Sequence, residues 1–166
     1  MHIRHERSGD AGDIGIITRD AFAPMPFSDG SEVELVERLR AANGFSLSLV
    51  AERNGKVVGH AGFSAVGVNE KTGSWHQLAP VSVRPDMQRT GIGAALIRSG
   101  LEELRDMGAE ACLVLGDPAY YARFGFAHRP DISDSYPEPN PFFMAIALNG
   151  KVPRGRVKFH PAFYSG

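Results

Sequence analysis

A strand, a glycine-rich loop and a helix follow one another in the middle of the chain, and this unit constrains the fold more than any other segment. The pattern of residues 75–83 predicts a strand, and residues 91–107 carry apolar side chains at helical spacing. Two glycines one residue apart, Gly91 and Gly93, open that helix. A strand that leads through a tight loop into a helix is typical of an α/β domain.

The rest of the chain adds further elements to this unit. Asn54 and Gly55 separate two apolar runs and predict a hairpin turn. Pro80 lies inside a predicted strand, where it removes a ladder hydrogen bond, so we expect a bulge or a local break. An N-cap at Asp10 and a capping box at Ser31 predict two helix starts. The other predicted elements are strands at residues 2–7, 46–53, 56–68, 111–115 and 142–148, helical turns at 118–123 and an irregular last strand around Val157. This order predicts an α/β domain with a mixed sheet.

Length, charge and cysteine content exclude several classes of protein. The chain has 166 residues, 18 basic and 19 acidic, and a net charge of −1, so we expect no nucleic acid and no membrane as a partner. Its apolar runs are shorter than the ~20 residues of a membrane span, and its first residues lack an apolar signal region. One cysteine forms no internal disulfide, which favours the cytoplasm. We expect a single domain over residues 1–166, with 151–166 as its irregular extension.

The glycine loop has the chemistry of an anion site. The first amides of a helix have no partner within the helix, and the helix dipole adds partial positive charge. Glycine lets an anion reach these amides, and Arg89 and Thr90 can donate to phosphate oxygens. A tight turn that binds nothing is the alternative. The loop is not a dinucleotide fingerprint, because Leu96 replaces the third glycine, and it is not a P-loop, because no Gly-Lys-Ser/Thr follows.

Two motifs taken together resemble one known superfamily. Residues 81–96 read VSVRPDMQRTGIGAAL and resemble the acetyl-CoA motif of the GNAT superfamily of N-acetyltransferases. Residues 120–126 read YYARFGF and resemble that superfamily's second motif, in which Gly-Phe follows an aromatic pair. The two motifs stand in the family's order, separated by one helix and one strand. Within the superfamily, LAPVSV at residues 78–83 and GDPAYY at 116–121 are similar to the YhbS-like branch.

The resemblance implies a fold and a co-substrate. The fold is that of a GNAT-like acyltransferase, with a central mixed, mostly antiparallel sheet, flanking helices and a strand that splays from its neighbour before the loop. The implied co-substrate is acetyl-CoA, whose pantetheine arm would lie between the splayed strands. The implied cofactor-binding residues are Val81, Ser82, Val83, Gln88, Arg89, Thr90, Gly91, Ile92, Gly93 and Ala94.

The implied reaction is transfer of an acetyl group from acetyl-CoA to a primary amine, by direct attack in a ternary complex. A free alkyl amine has a pKa near ~10 and must lose a proton before it attacks, and the departing thiolate benefits from receiving one. By the resemblance, Tyr121 donates that proton to the sulfur. A core aromatic that anchors a short helix is the alternative. We interpret Tyr120 as a packing residue.

The sequence leaves two routes for the proton of the amine. Many members of the superfamily carry a glutamate on the strand ahead of the loop, whereas this chain has His76 and Gln77 there and no acid between Thr72 and Arg84. His76 is the candidate catalytic base, directly or through water, and a surface or capping role is its alternative. A chain of waters that carries the proton to bulk solvent would also suffice.

The remaining reactive side chains read as structural. His60 lies among apolar residues of a strand, and Cys112 reads as a small buried hydrophobe. The six histidines form no metal-ligand spacing with one another or with the cysteine, so we predict no metal.

The acceptor site is expected between an early loop near Phe27 and Asp29 and a late loop, residues 131–141, which carries acidic residues and no basic one. Such a loop can attract a cationic amine, and a solvated loop is the plain alternative. The acceptor is a small molecule or a peptide, and the acyl length and a homodimer stay open. One rival function is a CoA-binding sensor or interaction domain with little or no turnover, which the absent glutamate favours. A second rival is a nucleotide-binding protein that uses the same loop.

Overall fold

A mixed sheet with helices on both faces forms the frame of the computed structural model, which describes residues 1–164. The strands within those residues are β1 (His2–His5), β2 (Phe45–Arg53), β3 (Lys56–Val68), β4 (Lys71–Val83), β5 (Ala111–Leu115), β6 (Ala127–His128), β7 (Ile132–Ser133), β8 (Phe143–Ala147) and β9 (Gly155–Lys158). The helices are α1 (Ala11–Phe22), α2 (Glu32–Ala41), α3 (Ile92–Asp106) and the short α4 (Pro118–Tyr121).

The sheet has the predicted mixed, mostly antiparallel character. Its strands lie in the order β1, β2, β3, β4, β5, β8, β6, and β9 pairs with both β3 and β7. Among the paired strands, β4 with β5 and β7 with β9 are parallel, and the others are antiparallel. Helix α3 connects the parallel pair β4 and β5, as a crossover between parallel strands requires.

The two faces of the sheet bury separate apolar layers, because successive strand residues point to opposite sides. On β2, Leu49 packs in the cluster that contains α3, whereas Val50 packs with residues of α1 and α2. On β5, Cys112 belongs to the α3 cluster and Leu113 to a third cluster with residues of β7, β8 and β9. We call the side covered by α3 the α3 face and the other side the opposite face.

The strand β4 carries the irregularity that Pro80 predicts. Val81 lies opposite Ala61 of β3, but Leu78 lies opposite Phe63, so Ala79 and Pro80 share a single partner position. Two residues opposite one define a β-bulge. The predicted bulge is therefore confirmed.

Turns and helix ends follow local sequence in part. Asn54 and Gly55 have φ values of +54° and +77°, which a type I′ hairpin turn requires, and the predicted hairpin is confirmed. Gly108, with φ of +84°, follows α3 as predicted. The capping box at Ser31 is wrong, because the Ser31 hydroxyl donates to Asp29 instead of capping α2.

The N-cap predicted at Asp10 is also wrong in its chemistry. Asp10 does precede α1, but its carboxylate accepts from the Arg4 guanidinium at 2.8 Å and from the Arg7 amide at 2.7 Å, and it makes no cap to α1. Side chains of this kind take the nearest backbone or charged partner. Strand β4 starts four residues before the predicted position, at Lys71. The two-residue strands β6 and β7 were not predicted, whereas β9 lies where a last strand was expected. None of the helices among residues 1–164 combines the length and apolarity that a membrane crossing needs.

Candidate active site

Strands β4 and β5 part at one end and leave a cleft between them. Their ladder runs through three pairs, Trp75 with Ala111, His76 with Cys112, and Gln77 with Leu113. Beyond Gln77 the residues 78–83 of β4 have no partner on β5, and the end of β5 pairs only with β8. We call this gap the cleft and the end at Gln77 its inner end.

Val81 and Val83 turn their backbone groups into the cleft. The Arg84 amide donates to the Val58 carbonyl of β3 at 2.8 Å. Since alternate residues of an antiparallel strand bond to opposite sides, Ser82 also bonds toward β3, and Val81 and Val83 face away from it. The Ser82 side chain is buried beneath α1 on the opposite face. Of the three predicted strand residues, the structure therefore brings Val81 and Val83 to the cleft and turns Ser82 away.

The first turn of α3 stands at the outer end of the cleft. The helix begins at Ile92, one residue later than predicted, and Gly91 is its N-cap with φ of +89° and no side-chain cap bond. The amides of Ile92, Gly93 and Ala94 therefore have no partner within the helix. A Cβ placed on Gly91 would meet no atom within 4 Å, so no protein atom fills the space beside this N-cap.

The loop before α3 is shaped by its own polar contacts. The Gln88 side-chain amide donates to the Val83 carbonyl at 3.1 Å, and the Thr90 hydroxyl donates to the Met87 carbonyl. Arg89 has a positive φ of +64°, which is uncommon outside glycine. Positive φ at Arg89 and Gly91 bends the loop back toward the helix start. The loop residues predicted to hold a pyrophosphate thus lie together at the outer end of the cleft.

Tyr121 and Tyr120 form a wall near the end of β5. The Tyr121 ring lies against Gly116, where a Cβ would be 2.3 Å from it. Burial, with a smaller contribution from Tyr120, raises the pKa of Tyr121 to about 12. The Tyr120 hydroxyl lies 3.3 Å from the position of a Cβ on Gly93, next to the first turn of α3. Both rings pack on the α3 cluster, and Tyr121 is a phenol held protonated at neutral pH.

His76 is buried and held by a serine. Its Nδ1 lies 2.8 Å from Ser46 Oγ, and that hydroxyl donates to the Phe63 carbonyl. The single hydroxyl proton is used in that bond, so His76 Nδ1 is the donor and Nε2 carries the lone pair. Burial lowers the pKa of His76, which keeps the ring neutral. His76 lies opposite Cys112 and therefore on the α3 face, as Tyr121 does.

Two further polar residues lie at the inner end of the cleft. Gln77 and Ser64 are direct neighbours on β4 and β3, and both are buried. Among residues 1–164, Gln77 Oε1 and Ser64 Oγ have no hydrogen-bond partner. Sequence reasoning did not single out Ser64, because only the strand register places it beside Gln77.

The early loop expected at the acceptor site is exposed, and one of the three carboxylates of the late loop is paired with arginines outside it. Phe27 is 77% exposed, and Asp29 accepts hydrogen bonds from Ser31. In the late loop, the Asp131 carboxylate lies 3.2 Å from Arg154 Nε and 3.5 Å from Arg129 Nε. The late loop is thus acidic mainly through residues 134 and 138.

The other reactive side chains are enclosed by the sheet. His60 is fully buried, and burial lowers its pKa to about 4. Burial raises the pKa of the Cys112 thiol above its ordinary value, so Cys112 stays protonated. Within residues 1–164, no three His, Cys, Asp or Glu side chains are arranged to hold a metal ion.

A parallel strand pair that diverges beside a helix N-terminus, in a mixed sheet with helices on both faces, is the architecture of the GNAT class of acetyltransferases. The sequence profile described as the Acetyltransferase (GNAT) family matches residues 17–126. The chain belongs to this family and is an N-acetyltransferase by class.

Two relatives, one of them compared both by sequence and by structure, extend the match over nearly the whole chain. The uncharacterized N-acetyltransferase YhbS of Escherichia coli K12 is 34% identical over 171 aligned residues, covering 98% of each chain. The crystal structure of a Brucella melitensis GNAT family acetyltransferase with acetyl-CoA has a TM-score of 0.87 and 44% identity, over 98% of this chain and 97% of that one. The crystal structure of E. coli YhbS with CoA has a TM-score of 0.83 and 33% identity, over 99% and 92% of the two chains.

Proposed function

We propose that this chain transfers an acetyl group from acetyl-CoA to a primary amine by direct attack in a ternary complex. The observation that carries the proposal is the divergence of β4 from β5 directly beside the N-terminus of α3. An amide-containing arm such as pantetheine can bond to the backbone of Val81 and Val83, while its pyrophosphate meets the open helix start. The Brucella relative holds acetyl-CoA and YhbS holds CoA, which supports the same ligand here.

The pyrophosphate is assigned to the loop and first turn of α3. Gly91 leaves room for it, and Arg89 and Thr90 supply further donors. Ser82 turns away from the cleft, so we assign it a positioning role between its two neighbours. The proposed binding set is therefore Val81, Val83, Gln88, Arg89, Thr90, Gly91, Ile92, Gly93 and Ala94, without Ser82.

Tyr121 is the proposed proton donor to the departing sulfur. Burial raises the pKa of Tyr121 to about 12, so the phenol is protonated and can donate its hydrogen to the sulfur as negative charge develops there in the transition state. The proton of the amine goes to His76 or to water. A neutral, buried His76 with a lone pair on Nε2 fits the first route.

The proposed acceptor is a primary amine of a small molecule or a peptide. It enters between the early loop with Phe27 and the late loop with Asp134 and Glu138. Exposed apolar and acidic groups suit an amine that arrives as a cation.

Thermal unfolding with and without ligands tests the cofactor half of this proposal. Acetyl-CoA and CoA at 100 times their Kd should stabilise the chain by about 2.7 kcal/mol, because they bind only the folded state. ATP and NAD at the same concentrations should give no shift. If ATP or NAD stabilises the chain and CoA does not, the chain is a nucleotide-binding protein and the proposal fails.

Release of free thiol from acetyl-CoA tests the transfer half. Polyamines, aminoglycosides and short peptides with free N-termini serve as acceptors, and at least one class should raise thiol release well above hydrolysis by water. Strong CoA binding with no amine-dependent release across all three classes would favour a sensor over an enzyme.

A further inference from the structure

Two buried oxygens meet at the inner end of the cleft without a protein partner. Gln77 is 4% exposed and Ser64 is fully buried, and they lie directly opposite each other on β4 and β3. Among the described residues, Gln77 Oε1 and Ser64 Oγ make no hydrogen bond. A buried polar atom left in this way costs about 1–3 kcal/mol. Two such atoms side by side in the centre of a sheet indicate a small polar ligand between them.

We propose that Ser64 and Gln77 hold one water molecule that takes the proton of the attacking amine. This inference rests on the proposed acetyl transfer and identifies its proton acceptor. Directly opposed strand residues have Cβ atoms about 4.5–5.5 Å apart, so one molecule can contact both side chains. A buried water needs two to four polar partners, and this pair supplies two of them. The amine supplies a further partner when it is bound.

The position of the pair relative to the cleft supports this role. The pyrophosphate lies at the helix start, so pantetheine runs along Val83 and Val81 and its thiol end points toward the inner end, where Gln77 ends the ladder with β5. Gln77 is opposite Leu113, which packs away from α3. Tyr121 packs on the α3 cluster. The phenol and the water therefore approach the thioester from opposite faces of the sheet.

The chemistry of the pair orients the water. A glutamine Oε1 only accepts hydrogen bonds, so the water donates to Gln77 and keeps a lone pair for the amine N–H. The amine nitrogen bonds to the carbonyl carbon, and the carbon–sulfur bond breaks. The proton lost by nitrogen passes to the water and on to solvent. The sulfur takes the proton of Tyr121, which solvent restores.

His76 is the competing acceptor and differs in its placement. It lies on the α3 face with Tyr121, and its Nδ1 is tied to Ser46. An acceptor on the face of the phenol would put both proton transfers on one side of the thioester. The Ser64–Gln77 pair separates them.

Substitutions at the pair test the proposal with acetyl-CoA and the amine that gives the fastest thiol release. Gln77→Leu and Ser64→Ala should each lower kcat at least tenfold and leave the KM for acetyl-CoA within twofold. Gln77→Glu supplies a carboxylate that takes the proton itself, so its kcat should fall about tenfold less between pH 8 and pH 6 than that of the parent chain. The Ser64→Ala/Gln77→Leu chain should keep its melting temperature, because both partners of the water become apolar together.

Ser48→Ala is the matched control. Ser48 lies on β2 and is bonded to Glu6 and His60, so the same chemical change should lower the melting temperature and leave kcat unchanged. A crystal structure of the CoA complex should show ordered solvent within hydrogen-bond distance of both oxygens.

Three outcomes would overturn the proposal: parental kcat in Gln77→Leu, an unchanged pH profile in Gln77→Glu, or direct contact of the two side chains without solvent. If the parent chain binds CoA but transfers to no amine, the proposed function itself fails. If the parent chain transfers the acetyl group and the Ser64 and Gln77 variants keep the parental kcat, only the proposed water site is disproved.

Discussion

At the scale of single residues, burial decides which groups can exchange protons. Burial raises the pKa of both adjacent tyrosines, Tyr120 and Tyr121, and that of Tyr121 reaches about 12; the Tyr121 ring lies against Gly116, just after β5. We expect Tyr121→Phe to lower kcat by about 10²-fold or more, the usual contribution of a positioned acid. Thiol-release assays at saturating acetyl-CoA measure this change in kcat. Tyr120→Phe is the matched control and should stay within threefold of the parent. Equal losses in both variants would assign the effect to packing.

His60 makes folding sensitive to mild acid. Its Nε2 bonds to Ser48, and burial lowers its pKa from 6.5 to about 4. Between those values the unfolded chain binds a proton that the folded chain does not, so stability is complete above pH 6.5 and is lost as pH falls toward 4. From pH 7.5 to pH 5 the loss from His60 is about 2 kcal/mol.

Urea unfolding at pH 7.5 and pH 5 checks this prediction. In His60→Gln the difference between the two free energies of unfolding should shrink by about 2 kcal/mol. A His60→Gln chain with the parental pH dependence would show that His60 is not the titrating group.

At the scale of elements, the two ends of α3 offer a matched comparison. Gly91 before the helix and Gly108 after it have φ of +89° and +84°, and a Cβ on either would meet no protein atom within 4 Å. Alanine at each position costs about 1–2 kcal/mol of backbone strain. Only at Gly91 would the added carbon stand where we propose that the pyrophosphate binds.

Titration calorimetry should therefore give at least a tenfold weaker CoA affinity for Gly91→Ala and an unchanged affinity for Gly108→Ala. Valine at Gly91 is a poorer test, because a β-branched residue adds strain at positive φ. Equal CoA affinities in the two alanine variants would remove the helix start from the binding site.

Elements governed by local rules were predictable from the sequence, whereas the two shortest strands, which depend on distant pairing, were not. Asn54, Gly55 and Gly108 have positive φ values, which asparagine and glycine adopt more readily than other residues. The local sequence alone therefore predicts the hairpin turn and the end of α3. The two-residue strands β6 and β7 exist only because β8 and β9 lie beside them. At Ser31 the local rule failed, because Asp29 competes for the hydroxyl.

The site residues also fall into those that the local sequence predicts and those that depend on distant strand pairing. The glycine loop is contiguous, so its residues could be proposed together from the sequence. The divergence of β4 from β5 depends on where a ladder ends, and the pairing of Ser64 with Gln77 depends on a register shifted by the bulge at Pro80. A one-residue change of register would move these side chains to the other face. No spacing in the sequence carries that information.

At the scale of the whole molecule, we propose that the described chain is a single domain. One sheet runs from β1 near the N-terminus to β8 and β6, and β9 returns to pair with β3. The cluster beneath α3 includes residues from β2 to β8. Neither half can bury its apolar surface without the other, so the chain should unfold as one unit.

Two optical probes can test this, because they report on different parts. Trp75 is the only tryptophan and packs against the cluster of β5, β8 and β9, whereas far-UV circular dichroism reports mainly on α1, α2 and α3. Urea transitions followed by Trp75 fluorescence and by circular dichroism should coincide in midpoint and slope. Saturating CoA should raise the midpoints of both urea transitions by the same amount, because the cleft lies between β4, β5 and α3. Separate midpoints, or a shift of one probe alone, would divide the chain into two units and place the cofactor cleft at their boundary.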